Sequence, residues 1–256
     1  MICVINIGNT NTAFGFGDSD LTDQFTIPTH AYQTQNDFLK YFEVQNRHKH
    51  IDNCVIASVR PDKTELIKHS MDSYFKLNAK VLEHGDDFGI DFSLYPYGKL
   101  GMDRIIALYA AKELYGENIA VFDLGTATTV NVLSDNQFKG GAIMPGVRLG
   151  LSVLGEKTGL LPTINLNDTP HYLGLNTEQN ILSGALFGTA SVLKNYRELI
   201  SQDYPNTTFV VTGGNSKAIL PLCNAPWNFQ PDLLLQGLLT WWTQKGRTYE
   251  SLNRKL

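Results

Sequence analysis

One stretch of the sequence has the residue types of a phosphate-binding turn. Residues 121–129 read VFDLGTATT, in which an apolar run ends in Asp123, Gly125 follows, and a second β-branched run begins. This pattern predicts a strand, a tight turn lined with hydroxyl groups, and a returning strand. Gly125 lets backbone N–H groups approach an anion closely, and the Asp123 carboxylate can hold a cation that neutralises the anion's charge.

A fainter copy of this pattern opens the chain. Residues 2–7 predict a strand, Gly8-Asn9-Thr10 a turn, and residues 11–15 a returning strand. Each turn by itself is equally consistent with an ordinary hairpin. Two hairpins of one design, about half a chain apart, indicate a duplicated fold that closes on a nucleotide between its halves.

A carboxylate and a guanidinium stand side by side at the start of a predicted helix. Asp103 and Arg104 follow an irregular, aromatic segment at 85–99. An acidic residue in a first helical turn is favoured by the helix dipole and needs no other reason to be there. However, the planar fork of Arg104 suits a ligand carboxylate, and the Asp103 carboxylate can accept a hydroxyl proton during phosphoryl transfer. Asp103 is therefore a candidate general base.

The segment Thr212-Gly213-Gly214-Asn215 lies between a predicted strand and a predicted helix. Glycines at such a position let a nucleoside or phosphate approach the helix N-terminus, although glycine also serves routinely in turns. Thr177 is most simply the N-cap of a long helix that runs to Ile200, and the glycines at 184 and 188 of that helix permit close helix packing.

The remaining periodicity predicts an α/β protein with mixed sheets flanked by helices. The apolar run at 54–59 is typical of an inner strand that is covered on both faces. Two domains are predicted, at residues 1–116 and 117–256. The other predicted strands lie at 21–27, 79–82, 138–142 and 208–211, and the other predicted helices at 36–46, 61–71, 101–115, 146–155, 216–222 and 233–242.

Composition excludes several classes of protein. The 256 residues are 43% hydrophobic and 18% charged, with a net charge of -4. The basic residues are scattered, and their densest stretch, at 47–50, is short. This distribution argues against nucleic-acid binding. No apolar run is long enough to span a bilayer. Three isolated cysteines indicate a reducing cytoplasm, and six histidines without ligand spacing argue against a transition-metal centre.

Taken together, the motifs resemble the type III pantothenate kinases, which belong to the acetate-kinase and actin-like superfamily. The resemblance runs from residue 2 to about residue 220, and six motifs in order carry it. They are IGNTNT at 7–12, GMDR at 101–104, DLGTATT at 123–129, GGAIMPG at 140–146, GLNT at 174–177 with Gly184, and TGG at 212–214.

The resemblance implies duplicated actin-like (ribonuclease-H-like) domains with the nucleotide cleft between them, and ATP-dependent phosphorylation of pantothenate, the first committed step to coenzyme A. It implies that Asp103 is the proton acceptor, that Asp123 binds a monovalent cation (K⁺ or NH₄⁺), and that the enzyme is a homodimer that needs Mg²⁺. The implied ATP contacts are Asn6, Ile7, Gly8, Asn9, Thr10, Asn11, Thr12, Ala13, Thr126, Gly213 and Gly214. The implied pantothenate contacts are Tyr95, Gly101, Met102, Asp103, Arg104 and Thr177.

The sequence departs from the family's pattern in three places. Asn6 and Asn131 stand where the family usually has Asp, and Tyr95-Pro96-Tyr97 is a compressed form of its tyrosine–proline loop. Either tyrosine is a candidate for the substrate contact. A neutral amide at position 6 cannot replace a carboxylate's charge near Mg²⁺. Two further hypotheses are therefore a catalytically weak paralogue that binds nucleotide or pantothenate as a regulatory protein, and a kinase of the same superfamily for another small alcohol.

Overall fold

The computed structural model describes residues 1–45, 50–166 and 171–246. The end of the first predicted helix at Asn46 and most of the basic stretch at 47–50 lie outside the described residues. The chain divides into two units, Met1–Glu113 with Leu233–Leu256 and Leu114–Asp232. Within the described ranges, no helix is both long enough and apolar enough to cross a membrane.

The secondary structure follows the predicted order closely. The strands are β1 (Ile2–Ile7), β2 (Asn11–Gly17), β3 (Leu21–Pro28), β4 (Asn53–Ser58), β5 (Lys80–Val81), β6 (Ile119–Leu124), β7 (Ala127–Ser134), β8 (Gln137–Pro145), β9 (Thr208–Thr212) and β10 (Asn228–Phe229). The helices are α1 (Gln35–Gln45), α2 (Pro61–Tyr74), α3 (Met102–Tyr115), α4 (Val147–Lys157), α5 (Thr177–Asp203), α6 (Ser216–Ile219) and α7 (Leu233–Trp241).

The two units carry five-stranded sheets of the same topology. The first sheet has the order β3-β2-β1-β4-β5, and the second has the order β8-β7-β6-β9-β10. In each, three antiparallel strands are followed by two strands parallel to the first. The duplication that the two hairpins predicted is thus confirmed at the level of strand order.

The first sheet is covered on both faces. One face packs against α1 and α2 through a cluster of buried aromatic rings, in which Phe42 lies 5.4 Å from Phe14 and 5.5 Å from Phe38 between ring centroids. β4 is buried at each of its four central positions, as its unbroken apolar run predicted.

The other face of the first sheet is covered by α7. Leu235 and Leu239 of this leucine-rich helix pack over Gly15 and Gly17 of β2. The predicted second domain, residues 117–256, included α7, whereas in the structure α7 belongs to the first unit. The reason is that the first sheet needs an apolar cover on the face opposite α1 and α2, which α7 supplies. The structure also divides the chain at residues 113 and 114, a little before the predicted boundary.

The second sheet has its hydrophobic core on the face that carries α4, α5 and α6. Phe122, Leu124 and Val130 of the sheet meet Leu151 of α4 and Leu186 of α5 in this core. Residues of β1 and of β6 are packed into the two hydrophobic clusters. The two predicted turns begin where these packed strands end.

Three local features differ from the sequence-based expectations. β8 runs through Gly140 (φ +125°) to Pro145, beyond the predicted end at residue 142, with a register irregularity opposite Gly140 on β7. Asn176, rather than Thr177, caps α5, since its side-chain oxygen accepts a hydrogen bond from Gln179 N at 2.9 Å. The two-residue strand β10 carries no periodic signal and was not predicted.

Candidate active site

The first predicted turn lies between β1 and β2 and is held by a residue from outside the turn. Gly8 N donates to Asn11 O at 2.9 Å and closes the turn. Thr29, which follows β3, donates its hydroxyl to the Gly8 carbonyl oxygen at 2.9 Å and its backbone N–H to the Thr10 carbonyl oxygen at 2.8 Å. Asn9, at the tip of the turn, is exposed.

The predicted nucleotide contacts of this turn differ in what they present to a ligand. The side chains of Ile7 and Thr12 are fully buried, so only their backbone could meet a nucleotide. The exposed or half-buried members are Asn6, Gly8, Asn9, Thr10, Asn11 and Ala13.

The second predicted turn, Gly125-Thr126, lies between β6 and β7 and is also held from outside. Asn215 donates its backbone N–H to the Leu124 carbonyl oxygen and its side-chain Nδ2 to the Gly125 carbonyl oxygen, both at 2.9 Å. Arg148 Nε donates in turn to Asn215 Oδ1 at 3.2 Å. Asn215 is 5% exposed, so its hydrogen bonds to the turn are enclosed within the second unit.

Gly213 fits closely against the candidate cation ligand. Its φ is +94°, and a Cβ at this position would lie 2.5 Å from Asp123 Oδ1 and 2.5 Å from the Leu124 carbonyl carbon. Only glycine meets both conditions without strain. At Gly214 a Cβ would meet nothing within 4 Å. The first glycine of the pair is therefore required by the packing of Asp123, and the second leaves room beside it.

The Asp123 carboxylate supplies an oxygen donor of the kind that hard cations prefer. Over the described parts of the chain, no group of three or more His, Cys, Asp or Glu side chains could hold a metal ion.

The segment before α3 borders a cavity of about 600 Å³. Gly101 and Met102, two of the predicted pantothenate contacts, line it. Its polar lining includes Ser58 at the end of β4 and His84, whose Nε2 is hydrogen-bonded to the Leu100 carbonyl oxygen at 2.6 Å. The cavity lies between the end of β4 and the segment at 97–102 that leads into α3.

Between the two candidate tyrosines, the geometry favours Tyr97. Tyr97 lines the cavity with its ring 6.2 Å from that of His84, measured between centroids. Tyr95, the predicted substrate contact, lies half-buried two residues earlier, and its N–H donates to Phe92 O in a local turn.

Asp103 stands in a half-buried position at the start of α3. Its Oδ1 accepts a hydrogen bond from Arg104 N at 2.8 Å, and a Cβ on Gly101 would lie 2.5 Å from the same oxygen. Burial raises the pKa of the Asp103 carboxyl above its ordinary value, and the N–H and positive charge of Arg104 oppose this rise in part. A raised pKa strengthens the carboxylate as a base.

Two other predicted contacts lie at opposite extremes of exposure. Arg104 is only 8% exposed, so most of its side chain is buried. Thr177, at the first position of α5, is exposed. Because Asn176 supplies the cap, the Thr177 hydroxyl is not needed for capping.

Sequence reasoning missed two residues that shape the turns. Asn215 belongs to a motif that the sequence singled out, but only its glycines were taken as functional. Thr29 carried no signal, because its partners in the first turn are about twenty residues away and meet it only after β2 and β3 pair. The Thr-Gly-Gly-Asn motif could have pointed to Asn215 as a side chain that binds backbone.

Two copies of one sheet, each with a turn after its first strand, define a duplicated α/β fold of the actin-like kind. Similar solved structures include one from Campylobacter jejuni assigned to the Baf family of transcriptional activators (TM-score 0.61, 19% identity, covering 96% of this chain and 99% of that chain). Another is the activator of 2-hydroxyisocaproyl-CoA dehydratase from Clostridium difficile, with bound ADPNP (TM-score 0.52, 12% identity, covering 100% and 97%).

The sequence comparisons are more specific than the fold. The family model of type III pantothenate kinase matches residues 2–198. A type III pantothenate kinase from Kosmotoga olearia is 31% identical over 249 residues, which cover 93% of this chain and 94% of that protein. The chain therefore belongs to the type III pantothenate kinase family.

The fit of Gly213 against Asp123 yields a prediction. We expect Gly213→Ala to destabilise the protein by roughly 1–2 kcal/mol from the unfavourable φ alone, and by more if Asp123 cannot move. Displacement of the carboxylate should also weaken ADP binding. Urea unfolding and calorimetric titration with ADP measure the two effects. Gly214→Ala is the control for stability, and equal unfolding midpoints for the two variants would contradict the assignment.

Proposed function

We propose that the protein transfers the γ-phosphoryl group of ATP to the hydroxyl group of pantothenate. The observation that carries the proposal is the Asp103 carboxylate, half-buried beside the cavity-lining residues Gly101 and Met102 in a member of this family. The Asp103 carboxylate accepts the hydroxyl proton as the pantothenate oxygen forms a bond to the γ-phosphorus. The bond between that phosphorus and its bridging oxygen breaks, and ADP leaves.

We extend the proposal to the ligand roles of the two turns and of the segment beside the cavity. Residues 6–13 form the loop for the ATP phosphates, and Thr126, Gly213 and Gly214 are further nucleotide contacts. Residues 101–104 bind pantothenate, with the guanidinium of Arg104 as the partner of its carboxylate. Tyr95, or Tyr97 in its place, completes the substrate site.

Two cations complete the proposal. Mg²⁺, bound with ATP, supplies positive charge that neutralises the phosphate oxygens. Asp123, whose carboxylate lies close to Gly213, binds a monovalent cation, K⁺ or NH₄⁺. The cytoplasm is the compartment we assign, and the support is three buried cysteines without a disulfide, Cys3, Cys54 and Cys223.

The regulatory alternative is not favoured, because the relatives that match nearly the full chain are named as kinases. ADP release in the presence of pantothenate, compared with a panel of sugars and hydroxy acids, tests the proposal. Release that depends on pantothenate supports it. Release with another alcohol alone would assign the chain to a different substrate.

The first prediction from the proposal concerns Asp103. We expect Asp103→Asn to lower kcat by about a hundredfold or more while pantothenate binding is retained, because the amide keeps the shape and cannot accept the proton. In the wild type, kcat should fall as the pH drops through the raised pKa of Asp103, since the base must be ionised. Steady-state kinetics across the acidic range measures both effects.

The matched control for Asp103→Asn is Asp18→Asn, because the Asp18 side chain is 84% exposed. This control should keep both kcat and the acidic limb of the profile. An Asp103→Asn enzyme with most of its activity, or with an unchanged acidic limb, would contradict the assignment of the base.

The second prediction concerns Asn6, where the family's motif has Asp. The side chain is half-buried at the end of β1, so a carboxylate there keeps access to solvent. We expect Asn6→Asp to lower the KM for ATP and the Mg²⁺ concentration that the reaction needs. The KM for pantothenate should stay unchanged, because the added charge acts on the metal–nucleotide complex.

Asn53→Asp is the control for Asn6→Asp, since it adds the same charge to a half-buried position of the same sheet. This control should change neither the KM for ATP nor the Mg²⁺ requirement. If the wild type shows no turnover at saturating ATP and Asn6→Asp restores none, the kinase proposal fails and the regulatory alternative takes its place.

The third prediction is a homodimer built on α5. Gly184 and Gly188 are exposed and have open space around them. Exposed apolar side chains lie on α4 and just before α5, among them Leu149, Val153 and Leu175. In a two-fold interface a second copy would cover these residues and could bring Thr177 to the partner's pantothenate.

Light scattering measures the oligomeric state, and we expect twice the 28.5 kDa mass of the chain. Gly188→Arg should shift the protein toward monomer, because the new side chain has room within its own chain and blocks the copy. Ser201→Arg, at an exposed position near the end of the same helix, should leave the dimer intact. A fully active wild-type monomer at micromolar concentration would refute the prediction.

A further inference from the structure

We propose that Thr29 is a positioning residue for the ATP phosphate loop, acting through a buried chain of hydroxyl groups that begins at Tyr32 and ends on the Gly8 carbonyl oxygen. The inference rests on the proposed function, in that it takes the turn at 8–10 as a phosphate site. It adds a residue outside the loop that determines how the loop presents its backbone.

The chain of hydroxyl groups consists of three fully buried side chains. Tyr32 OH lies 2.6 Å from Thr12 Oγ1, which lies 3.0 Å from Thr29 Oγ1, and Thr29 Oγ1 lies 2.9 Å from the Gly8 carbonyl oxygen. All three side chains have 0% exposure. The chain therefore runs from the core of the first unit to the turn without contact with solvent.

The direction of each hydrogen bond follows from counting protons. A hydroxyl donates only one proton, and the Gly8 carbonyl oxygen can only accept, so Thr29 donates to Gly8. Thr12 must then donate to Thr29, and Tyr32 must donate to Thr12. Burial raises the pKa of Tyr32, which keeps the phenol protonated as this order requires. The order fixes the Thr29 hydroxyl as a donor to the turn.

The hydrogen bond from Thr29 orients the peptide group between Gly8 and Asn9. A trans peptide plane points its C=O and its N–H in opposite directions, and the described residues contain no cis peptide. Because Thr29 holds the Gly8 carbonyl oxygen on the protein side, the Asn9 N–H faces the other way, at an exposed position. Thr29 N holds the Thr10 carbonyl oxygen similarly at 2.8 Å. A phosphate meets an N–H donor and not a carbonyl oxygen.

The network is anchored on its far side by α2. Lys63, which is 4% exposed, donates from Nζ to the Tyr32 carbonyl oxygen at 2.6 Å and lies 5.0 Å from the centre of the Tyr32 ring. The same ring makes an edge contact with Phe38 at 5.7 Å between centroids. These contacts hold the phenol where its proton reaches Thr12.

Packing alone does not explain the hydroxyl groups. The site lies beside the aromatic cluster of the first core, where Val and Phe of nearly the same shape would fill the space of Thr and Tyr. Replacing a whole buried hydrogen-bonded set by apolar groups of the same shape is often nearly neutral for stability. The feature that only the hydroxyl chain supplies is the hydrogen bond to the turn.

The test compares Thr29→Val, Thr29→Ser and the control Thr26→Val, an exposed threonine of β3. We expect Thr29→Val to weaken ADP and ATP binding, and to raise the KM for ATP, by about five- to tenfold, the size of one lost hydrogen bond. The KM for pantothenate should not change. Thr29→Ser should restore most of the affinity, and Thr26→Val should match the wild type in nucleotide binding.

Either of two results with the variants would overturn the inference. One is wild-type nucleotide affinity in Thr29→Val, with or without a lowered melting temperature. The other is Thr29→Ser binding as weakly as Thr29→Val, because packing and not the hydroxyl would then be responsible. A wild type that binds no nucleotide overturns it as well, since the turn is then not a phosphate site.

Two further measurements keep the test decisive. If Thr29→Val does not fold, the amide NMR signal of Asn9 in the wild type serves instead, and the absence of a shift on addition of ADP overturns the inference. Calorimetry with ADP alone needs no pantothenate. A protein that binds ADP with the expected order of variants but does not phosphorylate pantothenate therefore rejects the proposed function and supports the role of Thr29.

Discussion

A backbone turn holds a phosphate well only when its N–H groups face the anion and its carbonyl oxygens face away from it. Both turns of this chain meet the second condition by the same means. Thr29 occupies the carbonyl oxygens of Gly8 and Thr10, and Asn215 occupies those of Leu124 and Gly125. The conformation of each turn therefore depends on a residue from outside the turn and on the tertiary structure that brings it there.

The two units satisfy this constraint with different elements of the same topology. In the first sheet the holding residue follows β3, the edge strand of the antiparallel part, whereas in the second it follows β9, a parallel neighbour of β6. The strand order is shared, but the contacts that support the turns are not. In this duplicated fold, the turn follows the first strand of the sheet in both units, but the residue that holds the turn comes from a different element in each.

The sequence predicts this fold well wherever a local pattern decides the structure. Apolar runs located β1, β4, β6 and β9, and helical spacing located the helices to within a few residues. Contacts between distant residues have no such pattern. Asn215 is ninety positions from Gly125, and the place of α7 on the first sheet depends on which face α1 and α2 leave open.

Predicted ligand contacts are limited in the same way. A motif shows which residues stand together along the chain, and it does not show which side chains point outward. Ile7 and Thr12 lie within the first motif, yet both are fully buried because strand alternation turns them toward the core. Thr12 instead takes part in the hydroxyl chain that supports the turn, a structural role that the sequence alone could not distinguish from a ligand contact.

The two asparagines that replace the family's aspartates are not equivalent in physical terms. Asn131 is 0% exposed, and its Nδ2 donates to Thr129 Oγ1 at 3.1 Å, so a carboxylate there would have to lose its hydration and find a nearby cation. Asn6 is half-buried at the end of its strand, where a charge keeps part of its water. The change at position 131 therefore bears on the packing of the second sheet, and the change at position 6 bears mainly on the charge that a ligand meets.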